Sequence, residues 1–340
     1  MVSLKFESTY INDFYSIVGK NESEGNITKF DLSIDDYYYD EKSFELSQIK
    51  LQYEVIKNLL KKNNLIDQDI DLLIGGDLLN QITGTTYSAK KLNISLLGVY
   101  SACASFIQSL IIAAIFLKDD NVNKVICSTS SHNLSQERQF RYPVEYGAIR
   151  NENSTFTATG SIACLVSNQK GKVKIKSATI GKVIDYVIKD ANMIGAIMAP
   201  AAAEVIFEHL TNNNIDISFY DVIVTGDLGN VGLSILKDYL NEEFHIKSNN
   251  IIDAGSLLYN KILDINDGAS GPFALPVFFF YNILRKKKYK KVLLVGTGSL
   301  HSSTLVNQGI SIPSIAHAIS LEVLNWAFYM LLFSLELFVY

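Results

Sequence analysis

The chain has 340 residues, of which 48% are hydrophobic and 19% charged, with a formal net charge of -5. That is long enough for two domains, or for one large domain made of two like halves around a sizeable core. The acidic balance excludes a general nucleic-acid binder, and the spacing of the cysteines and histidines argues against a structural metal site. The three cysteines (Cys103, Cys127, Cys164) form no Cys-x-x-Cys pattern and suit a reduced, cytosolic compartment. Met1 to Tyr10 contains Lys5 and Glu7 and has no signal-peptide core.

In chain order, residues 10–45 are polar and aromatic and read as loop-rich. Apolar residues at helical spacing predict a helix over Phe44 to Lys62, which Asn63-Asn64 ends. Ile70 to Ile74 reads as a short buried strand closed by Gly75-Gly76, Thr85 to Lys91 as a helix and Ser95 to Tyr100 as a strand. Phe106 to Leu117 is almost wholly apolar, so it is expected to be a helix enclosed on all sides. Lys124 to Ser128 reads as a strand, residues 133–158 as a long polar loop, and Ser161 to Ser167 and Val173 to Ile180 as strands. A helix is expected over Pro200 to Leu210 with Pro200 in its first turn. A strand at Val222 to Thr225, an apolar helix at Phe273 to Leu284 and a last clear strand at Val292 to Val295 follow. Strands alternating with helices imply an α/β fold with mainly parallel sheets.

Two stretches repeat. Asp71-Leu-Leu-Ile-Gly-Gly-Asp-Leu-Leu-Asn80 is answered by Asp221-Val-Ile-Val-Thr-Gly-Asp-Leu-Gly-Asn230, and Lys124-Val-Ile-Cys-Ser-Thr-Ser-Ser-His132 by Lys291-Val-Leu-Leu-Val-Gly-Thr-Gly-Ser-Leu-His301. An ordered repeat of this kind predicts two pseudo-duplicated α/β halves, with a ligand pocket between them. The division expected is 1–180, 181–320 and an apolar tail over 321–340.

Cys103 lies at a predicted strand-to-helix corner. The positive end of the following helix would favour a thiolate there and lower its pKa, the setting of an acyl-transfer nucleophile; Cys is also simply a small apolar residue that packs well. His132 ends a strand, and Arg138 and Arg141 follow in the polar loop, where they can bind a carboxylate or phosphate or else pair with Glu137 and Glu145. Gly268-Ala-Ser-Gly271 has the form of a weak backbone-amide nest. Asp185 and Asp190 flank a strand end and can orient a ligand or a cation, or serve only a turn. The basic run Arg285 to Lys291 reads mainly as a solvated helix end. From Val323 to Tyr340 the sequence is nearly all apolar, which leaves open a buried helix, an interfacial helix or the start of a membrane segment.

The duplicated halves with a corner cysteine resemble the thiolase superfamily, which implies a layered α-β-α-β-α architecture. Gly76-Asp-Leu-Leu-Asn-Gln81, Ser130-Ser-His-Asn133, Glu137-Arg-Gln-Phe-Arg-Tyr-Pro143, Met198-Ala-Pro-Ala-Ala202, Thr225-Gly-Asp-Leu228 and Ser311-Ile-Pro313 with Ala316-His317 are similar to strings of the stage V sporulation protein AD family, from about residue 5 to about residue 320. The resemblance implies a role in endospore formation, binding of dipicolinic acid (pyridine-2,6-dicarboxylate), alone or as its calcium chelate, and support of its uptake into the spore. It implies membrane proteins of the same operon as partners, a cytoplasmic location peripheral to the spore or forespore inner membrane, and by fold analogy a homodimer. Condensing enzymes of the superfamily add His, Asn or Cys to the nucleophile. The corresponding stretch here, Lys247 to Gly255, has no histidine and keeps only Asn250, Asp253 and Gly255 of the family's usual string. A binding protein without turnover, cofactor or resident metal is therefore expected. Its ligand set would be Cys103, His132, Arg138, Arg141, Gly160, Ser161, Asp185 and Asp190. The rival functions are an acyl-thioester condensing enzyme acting through Cys103 and a structural subunit of a membrane channel. The start of the apolar tail is similar to the opening of a neighbouring membrane subunit, which implies a fused terminus.

Overall fold

The computed structural model describes residues 1–140, 154–259 and 267–324. The main sheet has twelve strands, ten in one continuous order and two short ones, Val2–Lys5 and Leu32–Ser33, paired alongside. Of the ten, those of the first half are β1 (Tyr10–Val18), β2 (Leu72–Asp77), β3 (Leu96–Gly98), β4 (Lys124–Ser131) and β5 (Gly160–Ser167). Those of the second are β6 (Val173–Ile180), β7 (Val222–Thr225), β8 (Ile251–Asp253), β9 (Lys291–Ser299) and β10 (Ser314–Val323). The order across the sheet is β3-β2-β4-β5-β1 and then β6-β10-β9-β7-β8, so the two halves match strand for strand about a pseudo-dyad. In each half the middle strand of the first repeat, β2 or β7, is parallel to both neighbours, and the other pairings among the ten are antiparallel. Within the sheet β1 and β6 pair at Tyr10↔Lys174 and Ile11↔Val173, and the N-terminal strand Val2–Lys5 also pairs with β6, from Val2↔Ile180 to Lys5↔Ser177.

The repeated aspartates that open β2 and β7 explain why the duplication survives in sequence. Asp71 Oδ2 accepts from the N–H groups of Asn123 and Lys124, at 2.7 and 2.9 Å. Asp221 Oδ2 accepts from Lys290 and Lys291, at 2.7 and 2.8 Å. Each carboxylate fixes where its neighbouring strand, β4 or β9, enters the sheet.

Besides a single helical turn at Lys20–Ser23, the α-helices of the described residues are α1 (Phe44–Lys62), α2 (Thr83–Ala89), α3 (Ser105–Phe116), α4 (Asn133–Phe140), α5 (Ile194–Asn213), α6 (Gly229–Phe244), α7 (Ala254–Leu258), α8 (Ala274–Phe278, continuing in wider turns to Leu284) and α9 (Ser303–Asn307). Three apolar clusters define five layers. Leu51, Val55 and Leu59 of α1 pack on the first-half sheet. Phe106 and Leu110 of α3, with Phe278 and Phe280 of α8, fill the middle. Val205, Ile206 and Leu210 of α5 cover the second-half sheet. The resulting order is α-β-α-β-α. α5 is long and apolar enough to cross a bilayer by composition, but 72% of its most apolar window is buried against β9, β10 and α6, so it is accounted for as a core helix.

Several expectations need correction. Tyr10–Val18 is not loop but a central strand. Its Asp13 is tolerated because Lys62 and Lys172 both pair with it. Residues 133–140 are helical, not loop. Pro200 is in the interior of α5, not in its first turn. It removes the N–H that would bond Ala196, a loss of the kind that usually bends or breaks a helix. α6 and β10 were not foreseen, and the sheet is mixed rather than mainly parallel. Arg141, part of the predicted polar loop and the apolar sequence from residue 325 onward lie outside the described residues.

Candidate functional site

Cys103 occupies the corner between β3 and α3, and the corner is strained. Ala102 before it has φ +48°, a left-handed conformation that costs an L-residue roughly 1–2 kcal/mol. Local bonds hold it there. Ser101 N–H donates to Ser105 Oγ at 3.0 Å, and Ser105 Oγ–H donates to the Ala102 carbonyl at 2.7 Å. From the second half, His317 Nδ1 accepts from Gly181 N–H at 3.2 Å, which leaves its proton on Nε2, 3.3 Å from Ser101 Oγ. Burial pushes the His317 pKa down to about 4, so this brace is a neutral imidazole. Gly298 on β9 lets the corner dock: a Cβ there would be 2.2 Å from the Ser101 carbonyl oxygen.

The thiol itself faces an acid. Burial, and then the charge and hydrogen bond of Asp227, push the Cys103 pKa well above its ordinary value, with the Gly271 N–H opposing. This reverses the expected lowering: removal from water and a neighbouring carboxyl outweigh the helix end. Asp227 is 1% exposed. Its Oδ1 accepts from Thr297 Oγ1, and its Oδ2 has no bonded partner. Burial pushes its pKa up to about 7; the bonds to Cys103 and Thr297 lower it, and the Asp253 charge raises it.

Asp227 is the second-half counterpart of Asp77, and the two copies have diverged. The Asp77 carboxylate accepts from the backbone of Leu79, Gly84 and Thr85 and from the Thr85 hydroxyl, which fixes the start of α2. In the second half that work passes to Asp253, which accepts from Leu228, Gly229 and Ser256 N–H and from Thr225 Oγ1. Asp227 is thereby freed to turn toward the thiol. The sequence carried a signal of this, Gly-Asp-Leu-Leu against Gly-Asp-Leu-Gly, but nothing in it placed the second copy beside Cys103.

Two neighbouring hollows that share part of their walls lie in front of Cys103. The inner one, about 50 Å³, is lined by Tyr100, Cys103 and Gln136 from the first half and Ser270, Ser299 and His301 from the second. The outer one, about 590 Å³, has amide and hydroxyl groups from Asn80, Gln81, Gln139, Ser302, Ser303 and Thr304 on an apolar wall. Leu78, Tyr100, Phe140 and His301 line both, and the rings of Phe140 and His301 pack at 5.5 Å between centroids. His301 therefore reaches the thiol's cavity, although its sequence spacing gave no reason to place it there. The outer wall is strained too: Gln81 (φ +58°) and Ile82 (φ +49°) are consecutive left-handed residues, and such conformations gather at functional sites.

The other predicted site residues are dispersed. His132 is fully buried, stacks on Phe44 at 5.3 Å, bonds the Tyr37 carbonyl at 2.8 Å and has its pKa pushed down to about 4 by burial. Arg138 pairs with Glu45 on α1. Gly160 opens β5, and Ser161 Oγ–H donates to the Thr129 carbonyl at 2.8 Å. Asp185 accepts from Ser311 Oγ at 2.6 Å, the first cause of its lowered pKa, and Asp190 accepts from Asn192 N–H at 2.9 Å; both are exposed. Of the seven that are described, only Cys103 lines the hollows; Arg141 lies outside the described residues. No cluster of three or more metal-ligating side chains occurs among the described residues.

A profile of the stage V sporulation protein AD family matches residues 2–322. The chain belongs to this family. It is 37% identical over 317 residues to stage V sporulation protein AD of Bacillus subtilis (strain 168), covering 92% of this chain and 94% of that one. Among solved structures, a variant of OleA from Xanthomonas campestris superposes with a TM-score of 0.57 at 12% identity, over 94% of this chain and 99% of OleA. The 3-oxoacyl-[acyl-carrier-protein] synthase III of Aquifex aeolicus VF5 gives 0.54 at 16% identity, over 92% and 99%. The fold is thiolase-like, as the sequence resemblance implied, and the chain is a sporulation protein built on it.

Proposed function

We propose that this chain binds dipicolinate without chemical turnover, as a carrier or receptor in its uptake into the spore. The observation that supports it is the acid beside Cys103. A condensing enzyme needs the thiolate, whereas a carboxyl at hydrogen-bond range holds this sulfur in the protonated form. What is left is a shaped, polar-rimmed hollow. The outer cavity is within the usual size of small-ligand sites, roughly 300–1,000 Å³, and pairs an apolar wall for a flat ring with amide and hydroxyl donors for carboxylates. The ring would lie there with one carboxylate directed toward Cys103. Membrane proteins of the same operon, at the forespore inner membrane, remain the proposed partners.

Calorimetric titration of the purified chain with dipicolinate, with and without calcium, tests this. Saturable binding that Cys103→Ala weakens is the expected result; no heat under either condition would sink the reading. One observation favours a second reading, acyl transfer through Cys103: the strained corner at Ala102 is retained. Intact-mass measurement after incubation with an acyl-thioester discriminates, because an adduct on Cys103 that turns over requires an enzyme.

A further inference from the structure

The inner cavity is lined by one buried oxygen atom without a partner, and a second belongs to the acid against its thiol. Ser299 Oγ, on a side chain that lines the cavity and is 7% exposed, has no hydrogen bond. Asp227 does not line the cavity; it touches Cys103, which does, and its Oδ2 has no hydrogen bond either. Unpaired buried polar atoms are costly, and a guest that bonds them is favoured. At about 50 Å³ the space suits a carboxylate-sized group and not an aromatic ring. An anion placed there against Cys103 has the Asp227 carboxyl on the far side of the thiol, in a dry setting where like charges repel strongly.

We propose that a ligand carboxylate enters the inner cavity, between Ser299 and Cys103, only while Asp227 is protonated, so that binding of a small dicarboxylate takes up one proton. This rests on the ligand reading above and adds the condition under which that ligand is admitted. The groups facing Asp227 agree with it. They are the Cys103 thiol ahead of α3, the Thr297 hydroxyl on β9, the Gly271 N–H ahead of α8 and the second acid, Asp253, at the end of β8. None of these carries a positive charge to offset an ionised Asp227. His301 and Tyr100 line the cavity from the outer side. Burial holds the Asp227 pKa at about 7, so its proton is present below neutrality and lost above. With the proton gone the site carries the wrong charge, and affinity falls as pH rises.

The test is dipicolinate affinity from pH 6 to 8.5 in the intact chain, over which both ligand carboxyls are ionised, measured by calorimetry in buffers of differing ionisation enthalpy. Affinity is expected to be about tenfold weaker at pH 8 than at pH 6, with uptake approaching one proton per ligand at the alkaline end. Asp227→Asn should remove the dependence and keep the acidic-side affinity. Thr297→Val, which deletes a donor to the carboxylate, should move the midpoint upward. Binding that is independent of pH, or that releases protons, overturns the proposal. So does a folded Asp227→Asn chain that keeps the wild-type slope, which would assign the effect to a group other than Asp227. Absence of binding at every pH overturns the ligand reading itself, and this proposal with it, and is distinguishable from pH-independent binding.

Discussion

Glu22→Gln should stabilise the protein at neutral pH and do little in acid. Glu22 is completely buried on the short helix Lys20–Ser23. One oxygen accepts from Tyr259 Oη and from Thr159 N–H, the latter at 3.1 Å, and the other has no partner. Burial pushes its pKa from 4.5 up to about 7. Below pH 4.5 both folded and unfolded chains carry the protonated acid and no penalty exists. Between 4.5 and 7 the folded state binds the extra proton, so stability falls with rising pH, and above 7 the loss is complete. A shift of this size is worth about 3 kcal/mol. Glutamine keeps an acceptor for both donors and never ionises. Urea denaturation at pH 5 and pH 8 should show the variant gaining up to about 3 kcal/mol on wild type between the two. A gap that stays constant with pH, or a loss at pH 8 larger than at pH 5, would refute a protonated Glu22.

Acid should destabilise the fold in the opposite sense through His132, His209 and His317, each neutral when folded with its pKa lowered to about 4 by burial. Their contribution is intact above pH 6.5 and lost as pH falls toward 4. His209→Gln should flatten the acid limb of a stability–pH curve, by about 3 kcal/mol at most. Gly298→Ala should cost about 1–3 kcal/mol in denaturant, because the new methyl meets backbone at Ser101 that cannot step aside; a neutral outcome would mean the corner is not docked on β9. Phe140→Ala should join the two hollows and speed alkylation of Cys103 by iodoacetamide several-fold with little change in melting temperature. An unchanged rate would show that Phe140 does not screen the thiol.

Some of this was legible in sequence for plain physical reasons. α1 matched its predicted span because its apolar residues repeat at helical spacing and Ser43 caps it, accepting from Leu46 N–H at 3.3 Å. β1 was not legible. A strand enclosed on both faces loses its alternation, and Asn12 and Asp13 read as loop until Lys62 and Lys172 supply the charges from elsewhere in the chain. Pro200 misled in the same way, since only packing on both sides keeps a helix running through it. At the site, the corner position of Cys103 could be inferred from the strand and helix around it. Its chemistry could not, because the partners that set it, Asp227, Thr297, Gly271 and His317, come from segments over a hundred residues away. Local sequence offered His132 and Arg138 instead, and these serve the packing of the first half.

The matched halves raise a question of number: a molecule assembled from two copies of one plan begins with two candidate hollows. At the β3 corner the first copy kept a sulfur. At the corresponding β8 turn the second copy holds the Asp253 clamp, which ties down its own loop. The acid that this clamp leaves out, Asp227, faces the sulfur of the other copy. Full occupancy should therefore be a single guest per chain, drawn from the labour of both copies.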